Sequence, residues 1–368
     1  MNKKLAVIGA SYLQLPLVQK AKEMEIETHC FAWVEGAICK DVADYFYPIS
    51  IIEKEKILDV CKEKKINAIT TIASDVAVPT VCFVAENLDL ISNSFKSSLA
   101  GTNKHEMRKI FYEKNISSPR FALAEDDNIF EDFIFPVIVK PTDRSGSRGV
   151  VKVEKKNDLK KAIKRAVRES FNKQAIVEEF ISGKEVSVET ISWQGKHYIL
   201  AITDKVTTEE PYFVELEHHQ PSQLNFEIQN KIKEETIKAL NALEMKYGAS
   251  HTEIKITNDG RIYLIEIGMR MGGDFIGSDL VKLSTGYDFV KGVIQVAFGE
   301  FIEPKITENK YSGVYFLSKE TEKLKKIIEN KDRYPEIIQA EILHNELHFI
   351  QNSADRSGYL IYQSDKKR

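Results

Sequence analysis

Residues 251–274 read HTEIKITNDGRIYLIEIGMRMGGD, and this stretch predicts a β-hairpin. Asp259-Gly260 favours a two-residue turn with positive φ at both positions, and the flanking residues alternate between apolar and polar. When the residues on either side of that turn are paired, Glu253 falls directly opposite Glu266. The two side chains then share one face of the hairpin, with their Cβ atoms about 5 Å apart.

Two glutamates in register pose an electrostatic problem, because like charges directly opposite each other in a sheet are destabilising. Such a pair shares a proton or is bridged by a cation. Carboxylate oxygens at this separation suit Mg²⁺, which takes hard oxygen ligands and leaves room for water and phosphate. The alternative is a solvated hairpin whose glutamates point to water, and a bulge near the turn would break the register.

The residues after the second strand favour a phosphate site. Arg270 follows Glu266 by four residues, so it leans to the same face if the extended chain continues. Gly272-Gly273 then allows the backbone to approach a ligand closely. An acid pair, an arginine and two glycines together suit a metal-bound phosphate and a negative charge that develops during a reaction.

The composition is ordinary for a globular protein. The 368 residues are enough for two or three domains, with 43% hydrophobic and 29% charged residues. A net charge of −3 gives no case for nucleic-acid binding. No stretch has the pattern of a signal peptide or a membrane span, so we expect a cytoplasmic protein that does not bind membranes. The four cysteines lack CxxC spacing and are expected to be reduced core thiols.

The N-terminal segment has the β-α-β pattern of a Rossmann-like unit. A buried strand, KLAVIG (4–9), is followed by a turn, a helix and the strand IETHCFAW (26–33). The turn GASYLQ (9–14) lacks the second and third glycines of GxGxxG, which favours a plain α/β unit over a dinucleotide site. Helices and strands alternate to about residue 95, which predicts one doubly wound domain.

A strand–loop–strand motif, FPVIVKPTDRSGSRGVVKV, spans residues 135–153. Its loop, 141–149, is rich in glycine and serine, whose amides and hydroxyls can donate to phosphate oxygens. It is not a Walker P-loop, because the spacing differs and no helix follows, and a flexible hairpin tip remains the alternative. Lys140 lies at the edge of a buried strand, where an ammonium group needs a partner.

Two strands and a long irregular segment follow. AIVEEF (175–180) is predicted to be a strand, and the strand at 185–191 carries Glu, Ser and Glu on one face. Residues 207–222 are predicted to be irregular, and a loop of that length is typical of functional or disordered segments. His218 lies in this segment as a candidate substrate contact, with a surface histidine as the alternative.

Four strings in this order make the chain resemble the ATP-grasp superfamily. They are TNKHEMR, PVIVKPTDRSGSRGV, IVEEFISGKEVSVE, and HTEIK followed by YLIEIGMRMGG. The chain looks most like the carboxylate–amine ligases that include the L-amino acid ligases, with proteins like carbamoyl phosphate synthase next. The resemblance implies an α/β and α+β fold, with a Rossmann-like pre-ATP-grasp domain (1–95), two ATP-grasp lobes (96–175 and 176–305) and a small β-rich C-terminal subdomain (306–368).

The resemblance also implies roles for individual residues. The residues expected to bind ATP are Lys104 and Lys140 at the phosphates, Ser145, Gly146, Ser147 and Gly149 in a mobile flap, Glu178, Glu179, Phe180 and Ile181 at the hinge beside adenine, Glu185 at the ribose, and Leu264 under the base. Glu253 and Glu266 match ligands of Mg²⁺, with Mn²⁺ as the alternative metal. Arg270 matches the arginine that stabilises the acyl phosphate and the transition state. The candidate substrate contacts are His218, Gly272 and Gly273.

One position departs from the family pattern. The family often has E-x-N-x-R, whereas this chain has Glu266-Ile267-Gly268-Met269-Arg270. The glycine removes an amide that is an expected metal or phosphate ligand. The number of metal ions is therefore left open.

The resemblance implies an ATP-dependent ligation. A carboxylate would be phosphorylated to an acyl phosphate, and an amine would attack it to give an amide or peptide bond, ADP and phosphate. The expected partners are ATP and a small carboxylate and amine, with amino acids favoured. Related proteins are often dimers, so a homodimer is one option, and the oligomeric state is left open. Two alternatives stay open: bicarbonate activation, as in carbamoyl phosphate synthase or biotin carboxylase, and a regulatory protein that binds ATP without catalysis.

Overall fold

The computed structural model describes residues 3–124, 133–146, 148–208, 210 and 212–366. The strands within these residues form a parallel sheet of four strands, an antiparallel sheet of four and an antiparallel sheet of eight. This combination confirms the predicted α/β and α+β fold class. All four cysteines are buried and free, as predicted. In the described part of the chain, no helix combines the length and apolar character that crossing a membrane requires.

The N-terminal unit is built around the parallel sheet. Its elements are β1 (Lys4–Ile8), α1 (Leu15–Glu23), β2 (Glu27–Phe31), β3 (Tyr45–Tyr47), α2 (Lys54–Lys64), β4 (Ala68–Thr70) and α3 (Val78–Asn87), with strand order β3-β2-β1-β4. After β1, the side chain of Gln14 fills the space beside Gly9, where a Cβ would lie 2.9 Å from the Gln14 amide carbon. The Gln14 side chain thus occupies the space beside the glycine that opens the turn.

Two helices lead from this unit to the small antiparallel sheet. They are α4 (Phe95–Thr102) and α5 (Lys104–Glu113). The side chain of Asn103 caps α5 by accepting from the amides of His105 and Glu106, which places Lys104 at the first helical position. The small sheet has the order β5-β8-β6-β7 and consists of β5 (Phe121–Leu123), β6 (Val137–Pro141), β7 (Val151–Val153) and β8 (Ala175–Glu179), with α6 (Lys156–Glu169) packed against it.

The large sheet and its helices are formed by the rest of the chain. The elements are β9 (Lys184–Trp193), β10 (Lys196–Thr207), β11 (Glu215–Gln220), α7 (Phe226–Ala242), β12 (Gly248–Ile256), β13 (Ile262–Gly268), α8 (Val281–Thr285), α9 (Phe289–Ala297), β14 (Tyr311–Leu317), α10 (Leu324–Glu329), β15 (Ile337–Ile342) and β16 (Gly358–Ser364). The strand order in the sheet is β13-β12-β9-β10-β11-β14-β16-β15. The three C-terminal strands thus extend the same sheet. The division of the chain at residues 95, 175 and 305 stays a prediction.

The two faces of the large sheet differ in character. One face packs against α7 through apolar residues such as Val186 and Ile254. The other face is polar and includes the glutamates of β9, because side chains alternate along a strand. Helix α9 packs against both the parallel sheet and the large sheet. This packing brings the end of β4 beside the end of β13, where the amide of Ala73 donates to the carbonyl oxygen of Met271 at 3.1 Å.

Candidate active site

The β12–β13 hairpin brings Glu253 and Glu266 into register, as predicted. The predicted two-residue turn is wrong, because the loop contains residues 258–260. The amide of Thr257 donates to the carbonyl oxygen of Arg261 at 3.0 Å, and Gly260 takes φ +81°. A loop of three residues with glycine in the left-handed position is a common hairpin connection. The register shifts back by one residue between Glu253 and Ile254, so the two deviations cancel at the glutamate pair.

This register shift corrects the prediction for Leu264. Leu264 pairs with Ile254 and is fully buried in the core against α7, on the opposite face from Glu266. Ile265, the extra residue of the bulge, lines the cleft instead. The prediction assumed that residues two apart on a strand point to the same face of the sheet. A bulge adds one residue, so every side chain beyond it points to the opposite face.

The polar face of the large sheet and the small sheet enclose two connected clefts. The inner cleft is lined by Lys104, Ile138, Lys140, Val150, Glu178, Glu179, Phe180, Ile181, Glu185, Ile265, Glu266 and Gly268. The outer cleft is lined by Tyr12, Trp33, Ser74, Lys205, Val214, His218, Gly273, Asp274, Asn352 and Ser353. Residues that line both clefts are Asp75, Arg144, Ser145, Gly146, Glu215, His251, Glu253 and Arg270.

The predicted flap residues are only partly at the cleft. Ser145 and Gly146 line both clefts, and Gly146 takes φ +66°. Ser147 lies outside the described residues. Gly149 packs away from the cleft, since a Cβ there would lie 3.0 Å from the ring of Pro141.

The two predicted phosphate lysines are buried and ion-paired at the inner cleft. Lys104 donates to Glu266 Oε1 at 2.7 Å and to the carbonyl oxygen of Arg144 at 2.6 Å. Lys140 Nζ lies 2.7 Å from Glu178 Oε2, and Arg108 Nε lies 2.9 Å from Glu178 Oε1. Burial lowers the pKa of Lys140 despite its carboxylate partner. The carboxylate of Glu178 is therefore paired with two cations at the inner cleft, and its role at the hinge beside adenine stays a prediction.

Lys205 organises three glutamates on the sheet face and was missed by the sequence analysis. Its ammonium lies 2.9 Å from Glu185, 2.8 Å from Glu253 and 3.4 Å from Glu215, and its side chain is only 2% exposed. Burial alone would lower the pKa of Lys205, but the three carboxylates raise it well above its ordinary value. Burial likewise would raise the pKa of Glu253, but Lys205 and His251 hold it well below its usual range. Glu253 is therefore a carboxylate at neutral pH.

We expect Lys205→Ala to lower the free energy of unfolding by about 3 kcal/mol, because it removes the buried cation that three partly buried carboxylates share. Urea denaturation at pH 7 measures the loss. Since Glu253 has a lowered folded-state pKa, the contribution of the pair is present at neutral pH and is lost as the pH falls through that pKa. Lys255→Ala is the matched control. The Lys255 ammonium is 3.5 Å from Glu185 and its side chain is 21% exposed, so a loss below about 1 kcal/mol is expected. Equal losses of unfolding free energy in the two variants would contradict the conclusion that Lys205 is the main counter-ion of these glutamates.

Arg270 lines both clefts, although β13 ends at Gly268 and the extended chain on which the prediction relied does not continue to Arg270. Its Nη2 donates to Asp75 Oδ2 at 2.8 Å. Burial would raise the pKa of Asp75, but the Arg270 guanidinium beside it keeps that pKa below the ordinary value. Asp75 was not predicted as a site residue, because it comes from the loop after β4 and is 195 positions from Arg270.

A buried histidine–glutamate pair supports the chain behind Arg270. His251 Nδ1 lies 2.5 Å from Glu189 Oε1. Burial would lower the pKa of His251, but Glu189 raises it to about 9, so the imidazole is a cation at neutral pH. The amide of Gly272 donates to Glu189 Oε2 at 3.2 Å, and a Cβ at Gly272 would lie 2.8 Å from His251 Nδ1. Gly272 therefore allows this close packing and does not contact the clefts, whereas Gly273 lines the outer cleft.

His218 is buried at the wall of the outer cleft, so the alternative of a surface histidine is wrong. It belongs to β11, within a segment that was predicted to be irregular. Burial, followed by the nearby charges of Lys205 and Arg356, lowers the pKa of His218 well below its ordinary value. Its ring is therefore neutral. Arg356 lies over the ring of Phe316 at 3.7 Å and donates to Asp274 Oδ2 at 2.8 Å, which closes this wall.

The donor set fits a divalent cation that arrives with phosphate oxygens. Within the described residues, no group of three or more His, Cys, Asp or Glu side chains could hold a metal ion by itself. Glu253 and Glu266 nevertheless present carboxylates on one face of the cleft. Asp75, whose Oδ1 is buried without a hydrogen-bond partner among those same residues, lines the same cleft. Mg²⁺ is usually held by one or two carboxylates together with substrate phosphates, and this arrangement matches that pattern.

Residues 133–278 match a family model described as an ATP-grasp domain. The chain contains an ATP-grasp domain. This domain includes the small sheet from β6 onward and the β12–β13 hairpin with its glutamate pair. The resemblance that was inferred from the four sequence strings is thereby confirmed.

Relatives of this ATP-grasp chain include ligases. It is 28% identical over 272 residues to alanine–anticapsin ligase of Bacillus subtilis (strain 168), covering 64% of this chain and 57% of the relative. It is 26% identical over 276 residues to the carbamoyl phosphate synthase large chain of Caldanaerobacter subterraneus subsp. tengcongensis, covering 73% of this chain and 25% of the relative. The chain thus spans less than two thirds of the length of these curated relatives.

A solved structure matches the whole fold. The L-amino acid ligase from Bacillus licheniformis aligns with a TM-score of 0.83 at 23% identity, covering 99% of this chain and 94% of that chain. Agreement over nearly the full length shows that the N-terminal unit, the ATP-grasp domain and the C-terminal strands share one architecture with that protein.

Proposed function

We propose that this protein is an ATP-dependent ligase that activates a carboxylate as an acyl phosphate and joins it to an amine. The observation that carries the proposal is the position of the glutamate pair. Glu253 and Glu266 face each other on the hairpin and both line the lysine-rich inner cleft, while Glu253 and Arg270 also line the outer cleft. A nucleotide in the inner cleft and an acid in the outer cleft would meet at this arginine.

The inner cleft suits a nucleotide. Its apolar walls, which include Ile138, Phe180 and Ile265, can enclose a flat base. Lys104 and Lys140 supply positive charge for phosphates, and Glu185 provides a carboxylate for ribose hydroxyls. Mg²⁺, when bound by Glu253 and Glu266, would neutralise phosphate charge.

Arg270 is the residue placed to stabilise the reaction. Its guanidinium is held by Asp75 and is partly buried at both clefts, so its charge is oriented before any substrate arrives. A fixed cation in a buried site stabilises negative charge that develops on an acyl phosphate oxygen or on the transferred phosphoryl group. No nucleophilic side chain is required, because positioning and electrostatics supply the catalysis.

The outer cleft has the charges that an amino acid needs. Arg144 and Arg270 line this cleft and would attract a carboxylate, whereas Glu215 and Asp274 would attract an ammonium group, although each of these two acids already pairs with a cation of the protein. Tyr12 and Trp33 are exposed at the same cleft and could cover an apolar side chain. We therefore propose amino acids as the carboxylate and amine substrates, with ATP as the third substrate.

We expect Ile265→Ala to weaken ADP binding and Leu264→Ala to leave it unchanged. Ile265 lines the inner cleft, whereas Leu264 is fully buried in the core against α7. Leu264→Ala should instead lower the free energy of unfolding by about 2–5 kcal/mol. Calorimetric titration with ADP and urea denaturation of both variants distinguish the two residues. If Leu264→Ala weakened ADP binding and Ile265→Ala did not, the conclusion that Ile265 rather than Leu264 lines the nucleotide cleft would be wrong.

The activity is tested by a phosphate-release screen over pairs of amino acids and over dipeptides, followed by mass spectrometry of the products. The proposal predicts an amide or peptide product together with ADP. When the acid carries ¹⁸O in its carboxylate, one ¹⁸O should appear in the released phosphate. ADP release that needs bicarbonate and no amino acid would favour the bicarbonate reaction. Tight ATP binding without ADP formation across the panel would favour a regulatory protein.

A further inference from the structure

The four loops that follow the strands of the parallel sheet all reach the outer cleft. One loop follows each of β1, β2, β3 and β4. The residues that they contribute to the lining are mostly apolar and include Tyr12, Leu13, Trp33, Ile51, Ile52 and Ala73. In open α/β sheets, ligands bind in the crevice outside the carboxyl ends of the strands. The N-terminal unit therefore presents its ligand-binding edge to the outer cleft.

The strand order of this sheet reverses between β1 and β4. The chain runs from β1 through β2 to β3 and then returns to the other side of β1 as β4. Leu13 and Ala73, from the loops after β1 and β4, both pack at Gly273, where a Cβ would lie 3.3 Å from Ala73 Cβ and 3.8 Å from Leu13 Cδ2. Gln14 joins the same two loops by donating to the carbonyl oxygen of Ile72 at 2.7 Å. The crevice expected at such a reversal is therefore held in a fixed shape beside the outer cleft.

Three large apolar side chains of this lining are exposed to water. Trp33 is 69% exposed, Tyr12 is 55% exposed and Ile52 is 54% exposed. Single apolar side chains on a surface need no explanation, but exposed apolar groups that line one cleft mark an interaction site. The cleft has a volume of about 570 Å³, which is within the range of small-molecule sites.

The rest of the fold contributes charged residues to the same cleft. They include Arg144 from the loop after β6, Glu215 from β11, and Arg270 and Asp274 from the chain after β13. A ligand that suits both sets of residues has charged groups at one end and an apolar group at the other. A free amino acid with a large apolar side chain has this pattern, whereas alanine would leave Trp33 and Ile52 in water.

We propose that the N-terminal unit selects one substrate amino acid by a large apolar side chain, which packs on an apolar subsite formed by Tyr12, Trp33 and Ile52. The inference rests on the proposed function, because it names the class of one of the two amino acids that are ligated. The charged residues of the cleft meet the carboxylate and ammonium groups that all amino acids share. Discrimination among amino acids therefore comes from the apolar surface that each side chain removes from water.

Tryptophan fluorescence tests the inference without turnover. The chain has two tryptophans, and Trp193 stacks on Phe301 at 5.4 Å. Trp193→Phe keeps an aromatic ring there and leaves Trp33 as the single tryptophan. Leucine, added with ADP and Mg²⁺, should shift the emission of Trp33 to shorter wavelength and protect it from quenching by acrylamide. Alanine should bind at least about tenfold more weakly, since even one methylene in an apolar pocket is worth about 10–200-fold.

Calorimetric titration of the unsubstituted protein with leucine and with alanine measures the same two affinities if Trp193→Phe fails to fold. Ile52→Ala should raise the Kd of leucine by about tenfold and leave the Kd of ADP unchanged. Val34→Ala is the matched control, because Val34 is 54% exposed next to Trp33 but lines neither the inner nor the outer cleft. Its affinity for leucine should equal that of the wild type.

Three results would overturn the inference. They are equal affinities for leucine and alanine, tighter binding of glutamate than of leucine, and a Trp33 emission that changes with protein concentration but not with leucine. The last result would indicate that a second copy of the chain covers this surface. If leucine binds at Trp33 and the phosphate-release screen yields no amide, the result contradicts the proposed function but not the apolar subsite.

Discussion

Glu266→Gln should reduce ATP turnover by at least about a hundredfold if the proposed function holds, because the change removes a charged ligand from the proposed metal site and the partner of Lys104 together. Glu266 faces Glu253 across the hairpin and accepts from Lys104 at 2.7 Å. A glutamine keeps the size of the side chain but carries no negative charge for either cation. The rate of ADP release at saturating ATP and Mg²⁺ measures the loss.

The control for Glu266→Gln is the same substitution at another glutamate of the large sheet. Glu217 is on β11, pairs with His219 at 2.8 Å and lines neither the inner nor the outer cleft. Glu217→Gln should keep wild-type turnover. Circular dichroism and thermal unfolding establish that both variants are folded. A folded Glu266→Gln variant with normal turnover would reject the metal role assigned to this residue.

Replacing Arg270 should lower kcat by about 10²–10³, the range seen when a donor that stabilises a developing charge is removed. The guanidinium donates to Asp75 and still presents further N–H groups to the cleft. Arg270→Lys keeps the charge but cannot hold Asp75 and an oxyanion in the same planar arrangement. We therefore expect Arg270→Lys to lose most of the rate as well, with a smaller change in KM for ATP.

Steady-state kinetics with the acid and amine identified in the screen measure kcat and KM for Arg270→Ala and Arg270→Lys. Arg261→Ala is the matched control, because Arg261 is exposed at the hairpin tip and pairs with Asp259 at 2.8 Å. Its kinetics should equal those of the wild type. Wild-type kcat in Arg270→Lys would show that charge alone suffices, and wild-type kcat in Arg270→Ala would remove the residue from the mechanism.

The glutamate pair could be predicted from the sequence because hairpin partners are close along the chain. The prediction succeeded although the turn was wrong. The loop is one residue longer than expected, and the bulge at Ile265 compensates for it before Glu266 is reached. Leu264 lies between these two deviations, so its facing was predicted incorrectly. A bulge depends on packing across the whole sheet, and nothing in the local pattern of apolar and polar residues indicated it.

The side chains that pair with the predicted site residues come from distant parts of the chain, so the spacing of residues in the sequence could not identify them. Asp75 meets Arg270 only because α9 packs the parallel sheet against the large sheet. Lys205 meets its glutamates because β10 pairs with β9 next to β12. Strand β11 was missed for a related reason. Its sequence, ELEHHQ, is polar on both faces, because one of those faces contributes to the outer cleft and not to an apolar core.

Diffraction from crystals grown with ADP and Mn²⁺ tests the central claim most directly, because anomalous scattering locates the metal independently of the refined protein atoms. The account predicts a peak within about 2.5 Å of carboxylate oxygens from both Glu253 and Glu266, with ADP in the inner cleft. Bound ADP with a metal peak that touches neither glutamate would contradict it.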